Sequence, residues 1–263
     1  MVLAGFDRRD LGMMVSLTRM SLTDRYLGSA LGLAWAVLSP LAMLGIFCFV
    51  FTYVFPGRLP GREGTLPFLI WLISGYGPWL SISEGLGTAT GSVVGNAGIV
   101  KNIAFKSELL PIVSAITGLV PLVVAFGLIV VLQAFGGIWP SPALIALPIA
   151  IILQIVFVSG LGLFLGALNV FVRDTALILP NVLTIILFAS PIFYPLSAYP
   201  KGAQAVLVYN PFYVLAECYR QPILEGALPH LWTLGYMTVI SVAVFLGGLW
   251  WFRRLKSFFD TRL

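Results

Sequence analysis

Long apolar runs, separated by short polar segments, dominate the pattern of hydrophobic and polar positions along this chain. We place these runs at residues 29-55, 66-95, 110-135, 143-171, 176-190 and 231-252. A helix rises about 1.5 Å per residue, so roughly 20 apolar residues cross a hydrocarbon core of about 30 Å. The pattern therefore predicts an all-α integral membrane protein with six transmembrane helices in a single transmembrane domain covering residues 1-263.

Residues 1-28 precede the first apolar run and mix charged side chains with leucine, methionine and valine at roughly helical spacing. Such a pattern is typical of an amphipathic helix that lies along a membrane surface. Two interpretations stay open, a simple membrane anchor and a surface that contacts a cytosolic partner. The segment lacks the apolar core and cleavage site of a signal peptide, so we expect the first span to act as an uncleaved anchor.

Residues 191-230 are rich in proline and aromatic residues although they lie between two long apolar runs. Five prolines fall close together in this part of the chain, namely Pro191, Pro195, Pro200, Pro211 and Pro222. Proline removes a backbone donor and clashes with the preceding turn, so one continuous helix is excluded. Irregular backbone at membrane depth persists only where protein buries it or where it lines a water-filled cavity. We therefore predict short, partly re-entrant helices at the mouth of a pathway.

Residues 96-109 carry Lys101 and Lys106 among interspersed apolar side chains. This spacing favours a short helix lying across the inner face of the membrane, and an ordinary loop with cytoplasmic lysines is the alternative. Two sets of glycines recur every fourth residue within the neighbouring apolar runs, a spacing that predicts close packing between helices, with a smooth pore wall as the alternative for the first set. These are Gly87, Gly91 and Gly95 in one run and Gly162 and Gly166 in another.

Composition and charge agree with this membrane assignment. Hydrophobic residues make up 59% of the chain and charged residues only 10%, whereas a soluble domain has roughly 25% charged residues. Lysine and arginine are concentrated in the segments that we place inside, which predicts that both termini are cytoplasmic. Orientation thus explains the net charge of +5 better than a nucleic-acid partner does. The two cysteines and one histidine exclude a disulfide framework and a histidine-rich metal site;.

The sequence contains none of the common catalytic motifs. It has no phosphate-binding loop of the G-x-x-x-x-G-K-[ST] type, no H-E-x-x-H and no G-x-S-x-G;. Its carboxylates are scattered, and Glu84 alone is a candidate for an ionisable group within a span. We therefore expect neither a catalytic nor a metal site. A transport pathway without an energy source of its own indicates that a separate chain supplies the energy.

The run RYLGSALGLAW at Arg25–Trp35, followed by Pro40, resembles the opening motif of the bacterial polysaccharide ABC exporter permease family. Its members are the O-antigen, capsule and teichoic-acid export subunits of the type 2 ABC transporter class. Residues 96-111 resemble its loop between the second and third spans. Residues 190-222, with SPIFYP and NPF, resemble its segment before the last span. The resemblance covers nearly the whole chain in motif order.

This resemblance implies a homodimer around a central channel, paired with two copies of a cytoplasmic ABC ATPase. ATP and Mg would be bound by that partner, and this chain would carry no cofactor. The implied substrate is a lipid-linked polysaccharide, and the implied location is the bacterial cytoplasmic (inner) membrane, with membrane lipids around the spans and no nucleic acid bound. The surface helix at 1-28 and the coupling helix at 96-109 would meet the ATPase, and residues 191-230 would form an external gate.

The resemblance also assigns residues to these roles. The predicted ATPase-coupling residues are Arg8, Arg9, Arg19, Arg25, Lys101, Asn102, Phe105, Lys106 and Glu108. The predicted gate residues are Pro191, Pro195, Tyr199, Tyr209, Pro211, Phe212 and Tyr213. Aromatic rings with polar edges suit both membrane interfaces and sugar faces. The predicted channel-facing or substrate-facing residues are Trp35, Tyr53, Tyr76, Trp79, Glu84, Phe193 and Tyr194.

Three other functions remain as alternatives. A small-molecule, drug or lipid exporter of the same ABC group would share the six spans. A membrane-embedded enzyme of glycolipid synthesis would need clustered carboxylates to hold a metal and a pyrophosphate, and the sequence lacks them. A passive assembly scaffold would not stimulate an ATPase in response to any substrate.

Overall fold

The computed structural model describes residues 7–25, 28–54, 64–102, 105–259 and 262, without the side chains of residues 8, 99, 101 and 102. Every regular element in these ranges is helical, which confirms the predicted all-α membrane fold. The α-helices, in chain order, are α1 (Arg8–Asp24), α2 (Trp35–Phe49), α3 (Thr65–Gly95), α4 (Ala97–Asn102), α5 (Leu109–Thr117), α6 (Val120–Phe135), α7 (Leu147–Phe171), α8 (Asp174–Ala189), α9 (Lys201–Leu207), α10 (Pro211–Arg220) and α11 (Leu231–Lys256).

Among the described residues, five helical segments are long and apolar enough to cross a membrane. They are Gly32–Val54, Thr65–Gly95, Leu109–Phe135, Pro142–Phe171 and Leu231–Lys256. The remaining span predicted from the sequence corresponds to α8, which is apolar but has only 16 residues. At about 1.5 Å per residue it extends roughly 24 Å, less than a hydrocarbon core of about 30 Å. Length alone therefore supports five full crossings and one shorter apolar helix.

The run predicted as one span at 110-135 is divided into two helices. The helix α5 ends at Thr117 and α6 begins at Val120, one residue before Pro121. Gly118 lies at the break, where a Cβ would be 2.6 Å from the Cα of Gly85 in α3. Proline after the break is tolerated in the first turn of the new helix. The absent side chain at Gly118 lets the chain approach α3 at backbone distance.

The helix α3 is the centre of the bundle. Within its candidate span 72% of the most apolar window is buried inside the chain, against 11% for the first span. It packs against α5, α6, α7, α8 and α10, whereas α2 lies at the periphery and packs mainly against α6. Burial of apolar surface therefore organises the other helices around α3.

Only one of the two predicted glycine faces packs closely within the chain. Cβ atoms on Gly162 and Gly166 would meet Ala89 of α3 at 2.8 and 3.0 Å, so α7 and α3 approach closely there. A second close crossing joins Gly160 of α7 to Gly248 of α11.

The other glycine face is open. No described atom lies within 4 Å of a Cβ built on Gly87, Gly91 or Gly95. Within a single chain the prediction of close packing at these three positions is wrong. The glycine of α3 that faces the α5–α6 break is Gly85, which does not belong to this series. This stretch of α3 therefore presents a smooth, unoccupied face.

The proline-rich segment, residues 191–225, consists of short helical pieces. It contains a 3-10 turn at Leu196–Ala198, then α9 and α10, and a π-helical turn at Gln221–Glu225. The first three pieces begin at or directly after a proline, and Pro222 is the second residue of the π-helical turn, which agrees with the broken helix predicted from proline spacing;. Ser141 Oγ, in the turn before α7, donates to the Gly226 carbonyl at 3.0 Å. The proline-rich segment therefore lies at the end of the bundle where α6 joins α7.

Candidate functional site

Ion pairs hold together the basic end of the bundle, which we define as α1, residues 105–108 and the last turn of α11. Lys106 Nζ lies 2.6 Å from Asp10 Oδ2 in the first turn of α1. The Asp7 backbone N–H also donates to Asp10 Oδ2, at 2.7 Å. Lys106, and then the Asp7 N–H, lower the pKa of Asp10 below its ordinary 3.8, while Asp10 raises the pKa of Lys106 above 10.5. The pair is therefore ionised throughout the neutral range and ties α1 to the segment between α4 and α5.

Glu108 forms the second connection at the basic end. Its Oε2 accepts a hydrogen bond from Lys256 Nζ at 3.0 Å, and Oε1 lies 3.5 Å from Arg253 Nε. Only 4% of Glu108 is exposed. A carboxylate buried against two cations of α11 has no surface to offer a partner, so the prediction that it contacts an ATPase is corrected. Glu108 instead fixes the end of α11 to the start of α5.

The other predicted coupling residues differ in accessibility. Arg9 and Arg19 are exposed on α1, whereas Met14 and Leu17 of the same helix pack against the core. Phe105 is half-buried. The helix is thus amphipathic, as predicted, with at least two arginines directed away from the bundle. The side chains of three further members of the predicted set lie outside the described residues, namely Arg8, Lys101 and Asn102.

Arg25 and Glu84, predicted for different roles, form an ion pair between a guanidinium Nη1 and Oε1. The pair joins the residue after α1 to the middle of α3. It borders a cavity of about 90 Å³ that Trp35 and Pro40 also line. Arg25 is therefore directed toward α3, and because 40% of its side chain is exposed, its predicted contact with an ATPase stays a prediction. Glu84 remains accessible from this cavity.

A cleft between α3 and α8 has a volume of about 280 Å³. Tyr76, Trp79, Ser83 and Gly87 of α3 line one wall, and apolar residues with Thr184 of α8 line the other. Ser83 Oγ is buried and has no hydrogen-bond partner among the described residues. Among the described residues that line this cleft there is no Asp, Glu, Lys or Arg. Tyr76 and Trp79 are only 4% and 3% exposed, so the cleft wall is mainly apolar and lies beside the open glycine face of α3.

Three residues predicted to face a channel are almost completely buried packing residues, namely Phe193, Tyr76 and Trp79. The Phe193 ring lies 4.7 Å from Phe47 and 5.1 Å from Tyr76, centroid to centroid, and only 2% of Phe193 is exposed. The prediction that Phe193 faces a substrate is therefore corrected, because its ring joins α2 and α3 to the proline-rich segment. Tyr194 and Tyr53 are 49% and 74% exposed, so their predicted role stays a prediction.

Arg220 at the end of α10 is a buried cation that the sequence analysis did not single out. Only 2% of Arg220 is exposed. Its Nη1 donates to the Pro191 carbonyl at 3.0 Å and to Glu217 Oε1 at 3.1 Å. Its Nη2 donates to the Ile192 carbonyl at 2.7 Å, and the guanidinium lies 4.0 Å from the ring centre of Trp71. The guanidinium is therefore bound inside the chain, between α3 and the proline-rich segment.

Gly75 provides the space for this guanidinium. A Cβ at Gly75 would lie 2.9 Å from the Arg220 Cζ. The planar, always charged guanidinium matches several acceptors at once, which explains why arginine rather than lysine suits this position. Two features of the sequence could have pointed to this contact. Pro195 has no N–H to donate to the Pro191 carbonyl four residues earlier, and the G-Y-G run at 75-77 leaves space beside α3;. The structure thus joins the proline-rich segment to α3 through one buried cation.

The predicted gate residues meet at one end of the bundle. The Tyr199 hydroxyl donates to the Ser190 carbonyl at 3.2 Å, and Asn210 Nδ2 donates to Ser190 Oγ at 2.8 Å. The Tyr236 hydroxyl of α11 donates to the Tyr209 carbonyl. These bonds make the segment an ordered structure and not a loose loop. Of the remaining predicted gate residues, Phe212 packs against Trp79 and Phe157, and the others belong to the same segment, namely Pro191, Pro195, Pro211 and Tyr213.

Within the ranges that the structure describes, no group of three or more histidine, cysteine, aspartate or glutamate side chains could hold a metal ion. The two cysteines, Cys48 and Cys218, are both free. The features of the site are therefore the α3–α8 cleft, the ion pairs of the basic end, the Arg25–Glu84 pair and the buried Arg220.

Comparison with known proteins gives consistent matches across the chain. The family model described as ABC-2 type transporter matches residues 14–224. The chain is 29% identical to the O-antigen export system permease protein RfbA of Myxococcus xanthus, over 95% of this chain and 92% of that protein. It is 26% identical to the RfbA protein of Klebsiella pneumoniae, over 93% and 92%, and 24% identical to the polysialic acid transport protein KpsM of Escherichia coli, over 83% and 84%.

Proposed function

We propose that this chain, which belongs to the ABC-2 type transporter family, is a permease subunit. It would serve an ATP-driven exporter of a lipid-linked surface polysaccharide. The polymer would be an O-antigen, a capsule or a teichoic acid that crosses the bacterial cytoplasmic membrane. The observation that carries this proposal is the near full-length similarity to permeases named for O-antigen export and polysialic acid transport.

The cleft between α3 and α8 supports a sugar substrate. Its described lining residues include no Asp, Glu, Lys or Arg. Tyr76 and Trp79 border the cleft but are only 4% and 3% exposed, so a polymer would meet mainly the open glycine face of α3 and the side chains of α8. A long polymer moves past such a wall more easily than past a deep charged site, because charged groups bind strongly and release slowly. The cleft thus suits passage better than retention.

The open glycine face of α3 supports a homodimer. Gly87 lies both in the cleft and on this face, where no described atom lies within 4 Å of its Cβ position. Small residues let two helices or a helix and a substrate approach closely. In a dimer related by a two-fold axis, the clefts of both subunits would face a shared pathway.

The basic end supports contact with an ATPase, two copies of which would serve the dimer. Exposed Arg9 and Arg19 of α1 offer charge to a partner, and the ion pairs of Lys106 and Glu108 tie this surface to α5 and α11. ATP and Mg would be bound by the partner, with no cofactor and no catalysis in this chain. Both termini would then be cytoplasmic, with the proline-rich segment as the external gate.

Export in a deletion strain tests this function. Loss of this gene, or of its partner ATPase gene, should abolish surface polymer while lipid-linked polymer accumulates inside the cell. Gly87→Trp should block export with normal membrane levels of the protein, because the cleft fills without a clash at the Cβ position. Gly45→Trp in the peripheral helix α2 is the control, since its Cβ also meets no described atom within 4 Å. Surface polymer at normal levels in the deletion strain would refute the proposal.

A further inference from the structure

The last turn of α11 places two arginines at the boundary of a predicted membrane span. The helix is apolar from Leu231 to Phe252 and then continues with Arg253, Arg254 and Lys256. At about 1.5 Å per residue the apolar part extends roughly 33 Å, close to the ~30 Å of a hydrocarbon core. The arginines therefore lie at the level of lipid headgroups.

A cavity of about 420 Å³ opens beside these arginines. Its lining consists of Leu246, Leu249, Trp250, Arg253 and Arg254. The Arg254 guanidinium carbon lies 5.4 Å from the ring centre of Trp250, and Trp250 is 59% exposed. Tryptophan is enriched at this depth because its ring is apolar and its N–H is polar. The cavity is thus apolar where it adjoins the hydrocarbon core and cationic at the level of the lipid headgroups.

The charges at this turn are divided between two sides of the helix. Arg253 and Lys256 approach Glu108 inside the bundle. Within the ranges that the structure describes, no carboxylate lies within ion-pair distance of Arg254, which is exposed. A cation at this depth attracts an anion of the headgroup layer, at roughly a fivefold gain in affinity per charge.

We propose that this cavity binds an anionic phospholipid, with Arg254 donating hydrogen bonds to the headgroup phosphate. Trp250 would lie against the glycerol region, and Leu246 and Leu249 would contact an acyl chain. The apolar lining below the arginines favours a lipid over a free phosphate, because an inorganic anion gains nothing from covering leucine side chains. The charge favours an anionic over a zwitterionic headgroup.

The bound lipid would act on the basic end through a short path. Arg253 is adjacent to Arg254 and approaches the carboxylate of Glu108, which holds α11 against the start of α5. A lipid that immobilises this turn of α11 would therefore also stabilise the contact between α11 and α5. The expected effect is a higher melting temperature of the whole chain in anionic lipid.

Native mass spectrometry of the purified full-length protein can test the proposal. Dioctanoyl phosphatidylglycerol should bind at least fivefold more tightly than dioctanoyl phosphatidylcholine. Arg254→Gln should weaken phosphatidylglycerol binding about fivefold, in line with the loss of one interfacial cation. Arg254→Lys should retain most of the binding, and Trp250→Leu should weaken both lipids. Arg173→Gln, which removes an exposed arginine elsewhere in the chain, is the matched control.

The outcomes distinguish the sources of the phosphate. Equal binding of the two lipids, or an equal loss in Arg173→Gln, would overturn the proposal. Displacement of phosphatidylglycerol by millimolar inorganic phosphate would assign the cavity to a free anion and would also overturn the lipid assignment. A melting curve for each variant separates lost lipid binding from lost folding, since Arg254 is exposed and its replacement leaves the packed core intact.

Discussion

Replacing Gly75 by alanine should displace the Arg220 guanidinium and loosen the proline-rich segment from α3. The new Cβ would lie 2.9 Å from the Arg220 Cζ, well inside van der Waals contact. The end of an arginine side chain can usually move away from such a contact at little cost. Here it cannot, because it donates to the carbonyls of Pro191 and Ile192 and to the Glu217 carboxylate, and it stacks on Trp71.

The hydrogen bonds of the guanidinium set the magnitude. A hydrogen bond to a charged group contributes about 1.5–3 kcal/mol, and removing one partner of a buried ion pair costs about 3–5 kcal/mol. If alanine at Gly75 breaks one or two of these bonds, the free energy of unfolding should fall by about 2–4 kcal/mol. For a chain of this size the melting temperature should fall by roughly 4–16 °C.

Thermal unfolding of the purified protein in detergent measures this change, and a thiol probe locates it. Cys218 of α10 is buried, so in a Cys48→Ala background its maleimide labelling rate reports opening of α10. Gly75→Ala should both lower the melting temperature and speed the labelling. Arg220→Lys, which keeps the charge but loses the planar fork, should have an intermediate effect.

The matched control is Gly127→Ala in α6, where no described atom lies within 4 Å of the Cβ position. Alanine should be neutral or slightly stabilising there, by up to about 1 kcal/mol, because glycine is a poor helix former. A melting temperature and a labelling rate for Gly75→Ala that match this control would refute the reasoning. The proline-rich segment would then be held by its hydrophobic contacts and not by Arg220.

Three further predictions concern the rest of the bundle. Gly248→Ala should destabilise the protein by about 1–3 kcal/mol in thermal unfolding, because the new Cβ would lie 2.9 Å from the Gly160 carbonyl carbon;. Gly247→Ala is the control and should be tolerated, since no described atom lies within 4 Å of its Cβ position. Lys106→Glu should release α1 to protease, and a second change, Asp10→Lys, should restore protection by reversing the pair. The same protection should be flat from about pH 5 to about pH 9. It should be lost only as the pH falls through the lowered pKa of Asp10, below 3.8, or rises through the raised pKa of Lys106, above 10.5.

Sequence reasoning succeeded where the relevant physics is local. The prolines at 195, 200 and 211 divide the segment before α11 because each acts on the turn that contains it;. The amphipathic pattern of residues 1-28 likewise depends on neighbours three and four positions apart. Helix positions followed from the length of apolar runs, although α8 is shorter than a full crossing.

Side-chain partners at long separation could not be obtained in this way. The hydrogen bond from Lys106 to Asp10 spans 96 positions, and that from Lys256 to Glu108 spans 148. A single sequence shows that these residues are charged, but it does not show which charges meet. Coupling residues assigned by motif position therefore included a carboxylate, Glu108, that the fold buries.

The glycine faces illustrate the same limit. Spacing of four identifies residues that share one side of a helix, but it does not say whether that side meets another helix of the same chain. Gly162 and Gly166 pack against Ala89. Gly87 belongs to a series with the same four-residue spacing, but no described atom lies within 4 Å of its Cβ position. Only the arrangement of α5 and α6 around α3 distinguishes the two cases.

The connections of α3 show how its position bears on transport. Gly75 of α3 packs against Arg220, and Glu84 of the same helix forms an ion pair with Arg25. Glu84 lies nine positions after Gly75, so the two contacts are about 14 Å apart along the helix. Between and beside them α3 packs at backbone distance against the α5–α6 break at Gly118. A closely packed helix transmits displacement and does not absorb it. Arg25 follows α1, and Arg220 belongs to the proline-rich segment. A movement of α1 would therefore reach that segment through α3, which would move as a rigid element. The cleft along the open face of α3 would change width as α3 moves.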